Sequence, residues 1–313
     1  MPRSLLTSLA AAVLLAVPAT ASAGTLVAPD PAAEQVTALD GTIVWVTGEF
    51  GRQTLMQRAP DGTISPVKGT REARDYRAID LGRDSDGKLL LTYLRCDAGA
   101  RCQTLWNDLD GRRATFRNLA LPGCQVDTAP AQWRTRIAYG LFCTGSAQNR
   151  RNTGLYVKHG SRKPVRLPRP KDAIRFRITQ IADVDLRSTR VAAVAADVYE
   201  YSYSQTTAGR DMWSAFVAAS EGESDEHVRG IALGRANVHW TLTNSIHVGD
   251  PSQAIIFRQQ GDCLQRERLV SPPGVDAFAA TGLAVDETAI YLIVPGRGIV
   301  THTFTADPSL TCR

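Results

Sequence analysis

Short, apolar, β-prone runs recur along this chain about every 48 residues, and that period restricts the fold more than any other feature. The clearest are Thr42–Thr47 (TIVWVT), Lys88–Leu94 (KLLLTYL), Arg136–Phe142 (RIAYGLF), Arg190–Ala196 (RVAAVAA) and Ala289–Val294 (AIYLIV), with a weaker counterpart at Ser245–Val248. Their starts are 46, 48, 54, 55 and 44 residues apart. Each run is short and rich in Val, Ile, Leu and Tyr, as a buried strand is. Helical periodicity is almost absent. A unit of this length holds the four strands of one propeller blade, not a single strand of a sandwich. The expected fold is therefore all-β: a six-bladed β-propeller of four-stranded blades. Seven blades is the less favoured count.

Turn chemistry sets the register independently of hydrophobicity. Asp-Gly favours tight hairpins because both residues tolerate positive φ. Asp40-Gly41 and Asp86-Gly87 precede the first two strong runs and are 46 residues apart, while Asp61-Gly62 and Asp110-Gly111 follow the next strands and are 49 apart. Strands a to d, from the channel outwards, read in the second unit as Tyr76–Leu81, Lys88–Leu94, Gln103–Asn107 and Ala114–Leu119. In the fourth unit Val198–Asp211 reads as an extended b–c loop, although its Tyr alternating with Glu and Ser also fits an ordinary strand extension with one apolar face; Met212–Ala218 reads as the c strand and His227–Leu233 as the d strand. The last unit offers Gly282–Val285, Ala289–Val294 and Ile299–Phe304, and its outer strand comes from Thr311-Cys312 or from N-terminal Thr25–Ala28. The stretch Asp86–Arg112, with KLLLTYL and then LWNDLDG, resembles one repeat of the TolB-type propellers. Ala38–Gly69 resembles it too, through ALDG, TIVWV and APDG. The resemblance implies the fold, together with protein or cell-envelope partners.

The first 23 residues read as a secretory signal: Arg3, an apolar stretch from Leu5 to Val17, then Ala21-Ser22-Ala23 before Gly24. One propeller domain is expected over 24–313, exported to a secreted or cell-envelope location, with no later segment apolar enough to span a membrane. Removing the signal takes one basic residue from 36, so 35 Lys and Arg face 31 Asp and Glu. The signs are interspersed, which argues against a nucleic-acid stripe. A monomer is expected. Six cysteines, with no C-x-x-C pair, point to disulfides. Blade geometry favours Cys96–Cys102 across the second b–c loop, Cys124–Cys143 in the third unit, and Cys263–Cys312 tying down the C-terminus.

Catalytic signatures such as G-x-S-x-G, H-E-x-x-H and the P-loop are absent. Asp84-Ser85-Asp86-Gly87 imitates the start of a calcium loop, but Arg95 stands where the closing acid belongs. Glu221–His227 (EGESDEH) reads as a solvated hairpin tip. Asp80, Asp127, Asp183, Asp185, Asp276 and Asp286 fall on or near expected inner strands. Three of them converging could hold a divalent cation such as Ca²⁺ and support lactone or ester hydrolysis. Recognition instead points to the b–c face, with Tyr199, Tyr201 and Tyr203 in the fourth unit and Arg150 and Arg151 in the third, the residue types that make large interface contacts. The favoured expectation is a non-enzymatic binding protein holding a protein or envelope polymer through that face. The alternative is a metal-dependent hydrolase with its site at the channel mouth.

Overall fold

The structure is a computed structural model, and it describes residues 24–97, 102–109, 114–171, 180–196, 199–221, 224–247, 253–269, 280–287 and 289–305. The chain enters through β1 (Leu26–Ala28) and then builds five blades in order. Blade 1 is β2 (Gln35–Leu39), β3 (Thr42–Thr47), β4 (Thr54–Arg58) and β5 (Ile64–Pro66); blade 2 is β6 (Asp75–Arg83), β7 (Leu89–Cys96), β8 (Cys102–Asp108) and β9 (Thr115–Phe116). In blade 3 the inner strand is broken into β10 (Cys124–Val126) and β11 (Ala131–Trp133), followed by β12 (Arg136–Cys143), a short helix α1 (Ala147–Arg150), β13 (Gly154–His159) and β14 (Val165–Arg166). Blade 4 is β15 (Gln180–Arg187), β16 (Arg190–Ala196), β17 (Tyr199–Thr206) and β18 (Trp213–Glu221); blade 5 is β19 (Ser224–Leu233), β20 (His239–His247), β21 (Gln253–Gln260) and β22 (Cys263–Leu269). Blade 6 takes β23 (Gly282–Asp286), β24 (Ala289–Val294) and β25 (Gly298–His302) from the end of the chain, and β1 pairs antiparallel with β25 to complete it. The fold is a six-bladed β-propeller of four-stranded blades, closed by the N-terminal strand.

The core is divided into six apolar layers, one at each junction between neighbouring blades. Trp45 and Ile43 of blade 1 meet Tyr291 and Ile293 of blade 6, and Leu39 and Val44 meet Tyr76, Leu81 and Tyr93 of blade 2. A central strand has one neighbouring blade on each face and buries both. That is why TIVWVT and RVAAVAA are apolar throughout instead of alternating. No blade carries a complete core of its own.

The fourth and fifth units differ from the expected strand assignments. Val198–Asp211 is not a loop: Tyr199–Thr206 is β17, a full c strand paired with β16 from Glu200↔Ala196 to Thr206↔Arg190. β18 is then the d strand, and the segment expected to be a d strand, His227–Leu233, lies in β19, the inner strand of blade 5. The fifth b strand starts at His239 rather than Ser245. The Ser and Gln residues of YEYSYSQT gave the segment its loop-like composition. They are fully buried strand residues on both faces: Ser202 meets His239 and Thr241 of blade 5, whereas Gln205 donates to Pro168 O on the side of blade 3. The acidic run does fall where two antiparallel strands meet end to end, with Ser220↔Asp225 and Glu221↔Ser224 paired, but those strands are the outer strand of blade 4 and the inner strand of blade 5.

The structure contains the disulfides Cys96–Cys102 and Cys124–Cys143, each between residues directly opposite on neighbouring strands. Cys263 is also disulfide-bonded; its expected partner, Cys312, lies outside the described residues, as do the signal segment and Asp276. Among the described residues no helix is long and apolar enough to cross a membrane.

Candidate functional site: an acid-lined central channel

The innermost strand of a blade has one unpaired edge, and its N–H groups need acceptors. Among the described residues, a side chain on or beside the inner strand of one blade reaches the next blade at five of the six junctions. Thr37 Oγ1 of blade 1 accepts from Leu81 N of blade 2 at 3.0 Å. Asp80 of blade 2 accepts from the backbone of Gln132 in blade 3. Asp127 of blade 3 bonds the Gln180 side chain of blade 4. In blade 4, Asp185 Oδ2 accepts from Leu233 N at 2.5 Å, and Asp183 accepts from Ile231, both in blade 5. Asp286 of blade 6 accepts from Asp40 N at 2.9 Å and Gly41 N at 2.5 Å in blade 1. The positive φ of Asp40 (53°) and Gly41 (74°) turns both N–H groups towards that carboxylate. Of the six carboxylates picked out as cation ligands, the five that lie among the described residues are therefore each bonded to a neighbouring blade.

Only three of them share the channel. A cavity of about 250 Å³ is bounded by inner strands from all six blades, and its wall includes Asp80, Asp183 and Asp185. The break between β10 and β11 shortens the inner strand of blade 3, so β6 and β15 come into contact there. This brings Asp80 close enough to feel the charges of Asp185 and Asp183. Burial first, and then those two like charges, hold the Asp80 carboxyl well above the usual range. Burial pushes Asp183 up to about 7 and Asp185 up to about 6, with Leu233 N–H and Arg187 opposing the rise at Asp185. Asp80 is 6% exposed, and its Oδ2 has no hydrogen-bond partner. Asp127 and Asp286 lie outside this cavity.

A ring of contacts joins all six blades at the mouth formed by the a–b turns. Arg83 pairs with Asp40, and Asp286 bonds the Asp40-Gly41 turn. The Trp133 ring lies between two guanidiniums, Arg83 and Arg187, each 5.6 Å from its centroid. Arg187 continues to Glu287 at 2.5 Å and to Leu233 O at 3.1 Å, and Arg235 reaches Glu287 from blade 5 at 4.0 Å. Among the described residues, the one set of three acidic side chains with ligand oxygens within 4.8 Å of one another is here: Asp40, Asp286 and Glu287. Arginines and backbone N–H groups already engage those oxygens.

The opposite face carries the b–c loops and the connections between blades. Glu34 and Arg77 are exposed at this end of the cavity wall. Phe50, in the first b–c loop, is 64% exposed, and the Arg74 guanidinium stands 5.1 Å over its ring. Arg150 and Arg151 are exposed on the third b–c loop, at the end of α1, which Ser146 caps. Tyr201 and Tyr203, expected beside them, are instead 2% and 0% exposed and pack between blades 3 and 4. Alternation along β17 turns those rings into the junction. Tyr199 lies on the same strand. Sequence reading missed Phe50 and Arg74 because a lone Phe in an EFGR turn has no pattern around it. It also missed a buried Ser202–His239 pair, 2.9 Å apart, sealed between blades 4 and 5. Burial, and then Arg190, push His239 down to about 3, so it stays neutral and serves as a packing hydrogen bond.

No protein-family model and no curated protein matches this sequence. Solved structures do. A TolB protein from Agrobacterium tumefaciens superposes with a TM-score of 0.51 at 9% identity, covering 86% of this chain and 88% of its own. A fucose-specific lectin from Aleuria aurantia matches with a TM-score of 0.45 at 9% identity, over 90% of this chain and 97% of its own. At 9% identity, the likeness to the TolB protein is one of fold alone.

Proposed function

We propose that the protein is an exported, non-enzymatic binding protein that holds a protein or cell-envelope polymer on the b–c face of its propeller. The observation that carries this reading is the difference between the two channel mouths. One is tied across by the Arg83–Trp133–Arg187–Glu287 ring. The other lies on the face where Phe50, Arg74, Arg150 and Arg151 are exposed, and where exposed Glu34 and Arg77 line the end of the acid-lined cavity. Aromatic and arginine side chains are the usual anchors of such contacts. The disulfides, the leader-like first 23 residues and the TolB-like repeats of the first two units support an extracytoplasmic setting. Immobilised mature protein should retain a partner from envelope extracts. Replacing Phe50 and Arg74 by Ala, together with Arg151→Ala, should lower that retention at least tenfold while leaving the melting temperature within a few degrees. Unchanged retention by the triple variant would overturn the assignment.

A further inference from the structure

We propose that the Asp80, Asp183 and Asp185 cavity is a guanidinium-binding site, entered from the b–c face, which takes either a free guanidinium compound or an arginine side chain on a partner chain. The inference rests on reading that face as the binding face, and it deepens that reading by naming a ligand chemistry.

Three observations carry it. First, the three carboxylates use oxygens on inter-blade N–H groups, yet Asp80 Oδ2 is buried beside the cavity with nothing to accept from. A buried carboxylate oxygen without a donor is costly unless a ligand supplies one. Second, among the described residues none of the three is ion-paired. Arg187, whose charge acts on Asp185, is directed to Glu287, Leu233 O and the Trp133 face. Third, their oxygens are too widely spread for one metal shell, since the set within 4.8 Å of one another is at the opposite mouth. A planar guanidinium suits that spread: it presents five N–H donors in a fixed fork and is weakly hydrated, so it desolvates readily. The cavity, at about 250 Å³, holds several times the ~30 Å³ share of one water.

The charged and titratable groups facing the site are Glu34 from blade 1, Arg77 from blade 2, Arg187 and Glu200 from blade 4, and Arg229 from blade 5. Arg77 is paired with Asp75, and Glu200 accepts from Val228 N, with His227 beside it at 3.5 Å. An entering cation therefore meets carboxyls held above the usual range, Asp183 up to about 7 and Asp185 up to about 6, and it displaces the proton from whichever still carries one.

Calorimetric titration of the mature protein with methylguanidinium, and separately with N-acetyl-argininamide, tests this directly. The expected result is 1:1 binding that weakens about tenfold per pH unit below 7 for each proton displaced, with a binding heat that changes with the ionisation heat of the buffer. Asp80→Asn should weaken binding at least tenfold without lowering the melting temperature at pH 8, and Asp183→Asn serves as a second variant should the first not fold. Binding of methylguanidinium alone assigns the site to free compounds, whereas binding of both assigns it to arginine side chains as well. No binding of either probe at 10 mM, equal affinity in the Asn variant, or stoichiometric Ca²⁺ that methylguanidinium fails to displace would overturn the site. If the probes bind but the rim variants retain their partner unchanged, the binding-face reading fails and this site stands. The reverse pattern sinks only the site.

Discussion

At the residue scale, the inner wall carries the same side chain, aspartate, in two roles. Asp286 and Asp127 tie blades together away from the cavity, whereas Asp80, Asp183 and Asp185 do so while facing one another across it. Burial raises the last three, so the folded state holds protons that the unfolded chain has already released. Their contribution to stability is fully present below the unfolded carboxylate pKa near 4 and is lost as pH rises through about 6 and 7. Thermal unfolding should therefore show a melting temperature that falls between pH 5 and pH 8. Asp183→Asn should flatten that slope and melt higher than the parent at pH 8; an unchanged slope would show that Asp183 titrates alike in the folded and unfolded chains.

The elements owe their positions to close approaches that few side chains permit. β6 and β11 meet through a single parallel pair, Arg83↔Trp133, beside Gly82. A β-carbon at residue 82 would stand 1.8 Å from the Gln132 carbonyl oxygen, which is backbone and has no room to move aside. Gly82→Ala should thus push blades 2 and 3 apart and destabilise the protein by about 2 kcal/mol or more, read from denaturant unfolding. It should also disturb Asp80, whose lock is the N–H of that same Gln132. A neutral result would mean that blade 3 can shift outward freely. The disulfides staple β7 to β8 and β10 to β12, and so hold the b–c ends of blades 2 and 3, the part of the rim next to the shortened inner strand.

For the molecule as a whole, closure is the governing feature. Six apolar layers each need two blades, so the ring is stable only when the sixth blade joins the first. β1 supplies that join with three residues: Ala28 is fully buried, and Leu26 and Ala28 pair with Val300 and Ile299. Deleting residues 24–28 leaves β25 with a bare edge. The shortened chain should melt well below the parent and elute from a sizing column as dimers or larger species, as an open edge recruits other chains. A monomer of unchanged stability would show that β1 is dispensable.

What the sequence determined by itself was the repeat: period, strand content, blade number and the Asp-Gly turns follow from local pattern, because a strand buried on both faces must be apolar and a tight hairpin must tolerate positive φ. Two cysteine pairs followed as well, since strand register puts their positions opposite one another. The composition of β17 misled for the same local reason, as Tyr alternating with Ser and Glu reads the same whether its neighbour is water or another blade. Only the tertiary structure decided which aspartates face the channel, which aromatic side chain is left outside, and which mouth is tied across. Those outcomes depend on distances between blades that are far apart in the chain, such as Arg187 and Glu287, 100 residues from one another, and no local pattern encodes them.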